Sequence, residues 1–220
     1  MTATPIPRTL HMSLAGIRDI SVINTPPNIR IPVQTYVVEE SDALFKDAIT
    51  RELAREGQVL VMHNRVETIY KLADKLKTIV PEAKIIVAHG QMDAKTLEDS
   101  VMKFYDGDYN VLVATTIIEN GIDLPRANTI IVTDSDKLGL STLYQLKGRV
   151  GRSNVMAHAY FTFDRDKVMS EAAYKRLSAL TEFTEMGSGY KIAMRDLEIR
   201  GAGNVMGKEQ HGHMDKVGYE

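Results

Sequence analysis

The sequence predicts an α/β protein: a doubly wound parallel sheet followed by a helical hairpin and a glycine-rich loop. Three observations carry the expectation. Short, nearly continuous apolar runs alternate with stretches of helical period, as when strands are buried on both faces and helices cover them. A polar turn, TIIENGID, separates two such runs, VLVAT and NTIIV, within residues 111–133. After residue 163 the alternation stops, and two helical patterns lead into RGAGNVMGKEQHGH, with four glycines in 14 residues. In such sheets ligands are expected at the carboxyl ends of the strands.

Residues 2–32 hold five of the seven prolines, so little regular structure is expected there beyond one short helix over 8–17. A β-rich run at 33–39 leads into a helix over 42–56. Phe45, Ala48, Ile49 and Leu53 mark its buried face, and Gly57 stands where a C-cap closes it. The pattern then repeats. QVLVMH is a strand; Ile69, Leu72, Ala73, Leu76 and Ile79 line a helix that Pro81 stops; KIIVAH is the next strand; Asp93 caps a helix bearing Leu97, Val101 and Phe104. Strand 110–115, a short helix, strand 128–133, a helix near 141–147 and strand 158–163 follow. Helices over 167–186 and 190–199, broken by Gly187 and Gly189, complete the chain before its glycine-rich loop.

Composition narrows the function classes. With 220 residues, 44% apolar and 25% charged, the chain suits one ordinary domain plus an appendage. A net charge of -2 means that nucleic-acid contact must come from local patches, not bulk attraction. Residues 167–220 carry eight Lys/Arg and eight Asp/Glu, so the appendage is no polybasic tail. The absence of cysteine excludes disulfides and thiolate metal sites and suits a reducing cytoplasm. No run approaches the ~20 apolar residues of a membrane span, so no membrane partner is expected. The abrupt ends, TATPIPRTL and DKVGYE, read as the edges of a piece of a larger protein.

The chemistry concentrates between residues 111 and 152. Thr115, Gly121 and Asp123 sit on the turn after a strand, where a hydroxyl and backbone donors can meet phosphate and a carboxylate can meet a ribose hydroxyl; an ordinary βα turn is the alternative. Gln145, Arg149 and Arg152 belong to QLKGRVGR. A guanidinium is a fixed planar cation suited to charge on a transferring phosphoryl group, whereas the plainer alternative is a solvated basic loop. His63, Asn64 and Arg65, and again His89, Gly90 and Gln91, stand where a strand hands over to a helix, a place to hold nucleic-acid phosphates without reading bases; for either stretch taken singly, plain loop chemistry is the favoured alternative. His211 and His213 invite a metal, but no companion ligands stand at usual spacing, so none is expected.

Taken together these residues resemble the second motor lobe of superfamily-two helicases. TATPIPRTL resembles the motif that ends the first lobe, while ATTIIENGID and QLKGRVGR resemble the fifth and sixth helicase motifs. TATPIPRTL with RGAGNVMGKEQHGH resembles two kinds of bacterial double-stranded DNA translocase, the transcription-repair coupling factors and the branch-migrating fork helicases. HMSLAGIRDISVINTPP and EFTEMGSGYKIAMRDLEIRGAGN are similar to the former.

The resemblance implies a RecA-like lobe at 33–164, an interlobe connection at 1–32 and a translocation motif at 165–220. It implies ATP with Mg²⁺, bound mainly by a first lobe, with Arg149 and Arg152 as arginine fingers and Gln145, Gly121 and Asp123 as nucleotide contacts. Thr115 would touch a DNA phosphate, with Asn64, Arg65, His89 and Gly90 along the same path; Arg200 and Gln210 would serve translocation. The implied partners are double-stranded DNA and, through other domains, RNA polymerase and excision-repair proteins. The chain contains neither GxxxxGK[ST] nor a DExx box, so it is expected to be inactive alone. A fork helicase lobe and a non-catalytic DNA- or partner-binding module remain the alternatives.

Overall fold

The computed structural model describes residues 31–116, 123–183 and 189–200, with the isolated positions Ala15 and Ser21. Six strands form one all-parallel sheet: β1 (Gln34–Glu39), β2 (Gln58–Met62), β3 (Ile85–Ala88), β4 (Val111–Ala114), β5 (Ala127–Val132) and β6 (His158–Phe163), in the spatial order β1-β6-β5-β2-β4-β3. The helices are α1 (Asp42–Ala54), α2 (Val66–Ile79), α3 (Ala94–Asp106), α4 (Leu140–Lys147), α5 (Glu171–Glu182) and α6 (Gly189–Arg200).

Alternate residues of the central strands feed two cores. Val59, Val61, Val111, Val113 and Ile131 meet Phe45 and Ile49 of α1 and Ile69 and Leu76 of α2. Leu60, Leu112, Ile130 and Phe161 face the other way, with Val101 and Phe104 of α3 and Leu140 and Leu143 of α4. Both faces are covered, which is why these strands read as unbroken apolar runs. Leu177 and Leu180 of α5 and Ile192 of α6 join the second core, so the appended helices pack on the lobe.

The expected elements are present wherever the described residues reach, with two corrections. Gly57 is not the helix-closing residue. Arg55 is the C-cap of α1, Glu56 takes the left-handed conformation (φ 60), and Gly57 N–H reaches back to Glu52 O (3.1 Å). Gly57 is needed for space instead: the buried Glu52 carboxylate occupies the place where its Cβ would stand. The helix expected from 167 starts at 171, because the Ser170 hydroxyl accepts from Ala173 N–H (3.2 Å) while residues 164–167 form a turn closed by Lys167 N–H to Asp164 O. The short helices expected at 8–17 and between 115 and 128 fall largely outside the described residues.

Candidate nucleotide and nucleic-acid faces

The chain crosses over β2 between β4 and β5, so the loops leaving β2, β4 and β5 flank the point where strand order reverses. They are tied together there. His63 Nδ1 lies 2.7 Å from Thr133 Oγ1 and its Nε2 2.7 Å from Thr68 Oγ1, joining the ends of β2 and β5 to α2. Burial pushes the His63 imidazole below its ordinary value, with Asp134 opposing and Arg65 assisting, which favours the neutral ring. The Thr116 hydroxyl donates to Asn64 Oδ1 (3.1 Å), linking the loops after β4 and β2. Arg65 is paired with Asp134 (3.2 Å), itself in the left-handed conformation (φ 51) and bonded to Lys137 (2.6 Å).

Thr115 is buried one residue past β4, its N–H donating to Ala88 O (3.2 Å) at the end of β3. There His89 is also buried, its Nδ1 accepting from Gln91 N–H (3.3 Å) and its Nε2 2.9 Å from the Tyr70 hydroxyl. His89 has no side-chain donor left to offer, while Gly90 and Asn64 are exposed beside it. Thr115, Asn64, Arg65, His89 and Gly90 thus share one rim at the carboxyl ends of β2, β3 and β4.

The arginine loop is elsewhere. Gly151 (φ +77) has its Cα against Val33 and Ala157, where a Cβ would approach Val33 Cγ2 to 2.7 Å, and Ala157 O accepts from Gln34 N–H as β1 begins. Asp123 lies just before β5, and its Oδ1 accepts from Arg152 Nη1 (2.9 Å). Asp123 and Arg152 therefore sit by the amino ends of the strands, contrary to the expectation that all ligand residues crowd the carboxyl ends. The reason is directional: α4 runs back against the strands, delivering the loop after it to their starts. Gln145 and Arg149 are half-buried on the last turn of α4 and just beyond it, with Arg149 N–H donating to Leu146 O (3.0 Å). Gly121 and Gln210 lie outside the described residues; Arg200 is the last residue of α6, and its side chain lies outside them too.

Sequence reasoning missed Lys147. It is 6% exposed, its Nζ donates to Phe183 O (3.2 Å) at the end of α5, and burial lowers its pKa. A lysine inside QLKGRVGR carries no sequence signal of burial except its place one turn after Leu143, on the apolar face. Among the described residues no cluster of His, Asp and Glu could hold a metal ion, and no helix is long and apolar enough to cross a membrane.

A parallel sheet in this order, with one polar rim at the strand ends and an arginine loop beside the strand starts, is a RecA-like helicase lobe. The chain belongs to the helicase conserved C-terminal domain family, whose model matches residues 41–154. It is 61% identical over its whole length to the transcription-repair-coupling factor of Bacillus subtilis and 56% identical to that of Staphylococcus aureus, strain USA300. It spans 19% of the length of either relative. Among solved structures it resembles RecG bound to a three-way DNA junction (TM-score 0.76, 33% identity, 96% of this chain and 28% of that one). The fold is shared with S. cerevisiae Dbp5 bound to RNA and ADP BeF3 (TM-score 0.58, 19% identity, 90% of this chain and 54% of that one).

Proposed function

We propose that this chain is the second motor lobe of an ATP-dependent double-stranded DNA translocase that displaces stalled RNA polymerase and couples transcription to excision repair. The observation that carries the reading is the pairing of Arg152 with Asp123, which joins the two loops resembling the fifth and sixth helicase motifs. Identity of 61% to a coupling factor across the whole chain supports the choice of translocase.

The residues suit a nucleotide held mainly by another lobe. Arg149 and Arg152 supply guanidinium donors for phosphoryl oxygens, Gln145 offers an amide donor and acceptor, and Asp123 is an acceptor for ribose hydroxyls. Mg-ATP, when bound, supplies the phosphoryl transfer whose free energy drives movement. The arginines would then stabilise charge developing on the phosphoryl group, with Gly121 part of the same contact. At the strand-end rim, Thr115, Asn64, Arg65, His89 and Gly90 would hold duplex DNA through its phosphates, His89 by its backbone. Residues 1–32 would connect the lobes, 33–164 form the lobe and 165–220 the translocation motif, in which Arg200 and Gln210 couple nucleotide state to DNA movement. The setting is cytoplasmic, and RNA polymerase and repair proteins would be met by other domains.

A branch-migrating fork helicase is the second reading, favoured by the 33% identity to RecG. In the full-length protein, Arg149→Ala and Arg152→Ala should abolish both DNA-stimulated ATP hydrolysis and release of a stalled transcription complex. Robust junction branch migration without release of stalled polymerase would overturn the coupling-factor reading. Normal hydrolysis by both variants would remove the arginines from the site.

A further inference from the structure

We infer that Tyr70 is a neutral phosphate contact at the strand-end rim, its hydroxyl proton turned outward by His89. This rests on the reading of that rim as the DNA face. The Gln91 backbone N–H can only donate, and it donates to His89 Nδ1 (3.3 Å), so that nitrogen presents its lone pair. The one ring proton must then sit on Nε2, which lies 2.9 Å from the Tyr70 oxygen. Because His89 is the donor in that bond, the phenol is the acceptor and its own proton is unspent.

Tyr70 is placed to use it. It projects from α2 to the end of β3 and is 53% exposed, although its ring meets the buried His89 edge-on (centroids 5.5 Å apart, planes at 87°). An exposed aromatic off the buried face of α2 contributes little to the core. Asn64 is arranged by the same logic on the neighbouring loop: the Thr116 hydroxyl donates to its Oδ1, leaving both amide hydrogens to point elsewhere. The Tyr70 hydroxyl and the Asn64 amide therefore keep donors for the outer surface, since their oxygens are occupied by His89 and Thr116. These two donors, with the Arg65 guanidinium beside them, match the oxygens of a DNA backbone, and contacts to phosphates carry no base information.

A neutral donor leaves a signature that a cation does not. Lys or Arg contacts displace counterions and steepen the salt dependence of binding, whereas a phenol displaces none. In the full-length protein, Tyr70→Phe should weaken duplex DNA binding by about tenfold at every salt concentration with an unchanged log–log slope. Arg65→Ala, in contrast, should make that slope shallower by about 1. Tyr70→Phe also removes the acceptor of the buried His89 Nε2–H, so its thermal stability should fall modestly, and binding is compared at a temperature where both proteins are fully folded. Independently, ¹⁵N spectra of the histidine-labelled chain should show His89 protonated at Nε2. Unchanged affinity of Tyr70→Phe while Arg65→Ala retains its slope effect would overturn this inference alone, as would a His89 proton on Nδ1. Failure of the parent to bind duplex DNA in any nucleotide state would overturn the reading of the rim, and this inference with it.

Discussion

The Arg152 guanidinium and the Asp123 carboxylate meet at 2.9 Å, closing the loop after α4 onto the loop before β5. Both partners keep solvent access, and such pairs contribute roughly 0–1 kcal/mol, little enough to be exchanged for a phosphate. Stability and activity should therefore separate. Arg152→Ala should shift the unfolding free energy of the chain by less than about 1 kcal/mol, yet cut ATP hydrolysis by the full-length protein ~10³-fold or more. Denaturant titration and a steady-state hydrolysis assay check the two halves; a large loss of stability would make the arginine structural.

The turn after α1 reverses an ordinary expectation about glycine. Glu56 carries the left-handed φ of 60, while the next residue is the glycine. Gly57 faces the Glu52 carboxylate, which is pinned by Arg55 (2.6 Å) and the Thr129 hydroxyl (2.5 Å) and cannot swing aside. Glu56→Gly should thus be neutral or stabilising by up to about 1 kcal/mol, through relief of the left-handed backbone. Gly57→Ala should cost about 2–3 kcal/mol, as overpacking against a buried group does. Equal effects of the two substitutions in thermal melts would contradict this assignment.

That turn also shows what a sequence conceals. The strand and helix order was legible because burial on both sheet faces leaves unbroken apolar runs, as in Val59 to Val61 and Val111 to Ala114, and because Asp93 and Pro81 mark helix ends by local chemistry. The site residues were legible one by one as motif members. Their partition was not. Whether a loop lies at the starts or the ends of strands depends on the direction of the helix before it, and that separates Arg152 from Thr115. Glu52, Lys147 and Tyr70 were missed for a related reason: their partners Thr129, Phe183 and His89 stand 19 to 77 residues away, beyond any local pattern.

Arg65 of the rim pairs with the half-buried Asp134 at 3.2 Å. Asp134 competes for the guanidinium that a phosphate would use and adds negative charge close to the DNA path. Asparagine tolerates the left-handed backbone as well as aspartate does, so Asp134→Asn should leave the fold unchanged. It should tighten duplex DNA binding by the full-length protein about threefold at low salt, with the gain fading as salt screens the charge. Weaker binding by this variant would mean that Asp134 positions Arg65 productively instead of restraining it.

Lys147 joins the arginine loop to the hairpin, since it precedes Gly148 on the chain and its ammonium donates to Phe183 O (3.2 Å) where α5 ends. Burial disfavours the charged form and lowers its folded-state pKa below the ordinary 10.5. Between those two values the unfolded chain holds a proton that the folded chain has released. Stability therefore rises with pH through that window and is insensitive to this group below it. Lys147→Met keeps the apolar stem and abolishes the titration, at the cost of a carbonyl bond worth about 1 kcal/mol. The stability of the wild-type chain relative to Lys147→Met should then grow as pH climbs toward 10.5, while the half-buried Tyr144 and the buried Tyr160, present in both proteins, cancel in the difference. Urea titrations of both proteins across the alkaline range provide the measurement. A constant difference would mean that Lys147 stays hydrated and charged in the folded chain, and that the link between arginine loop and hairpin does not run through a buried lysine.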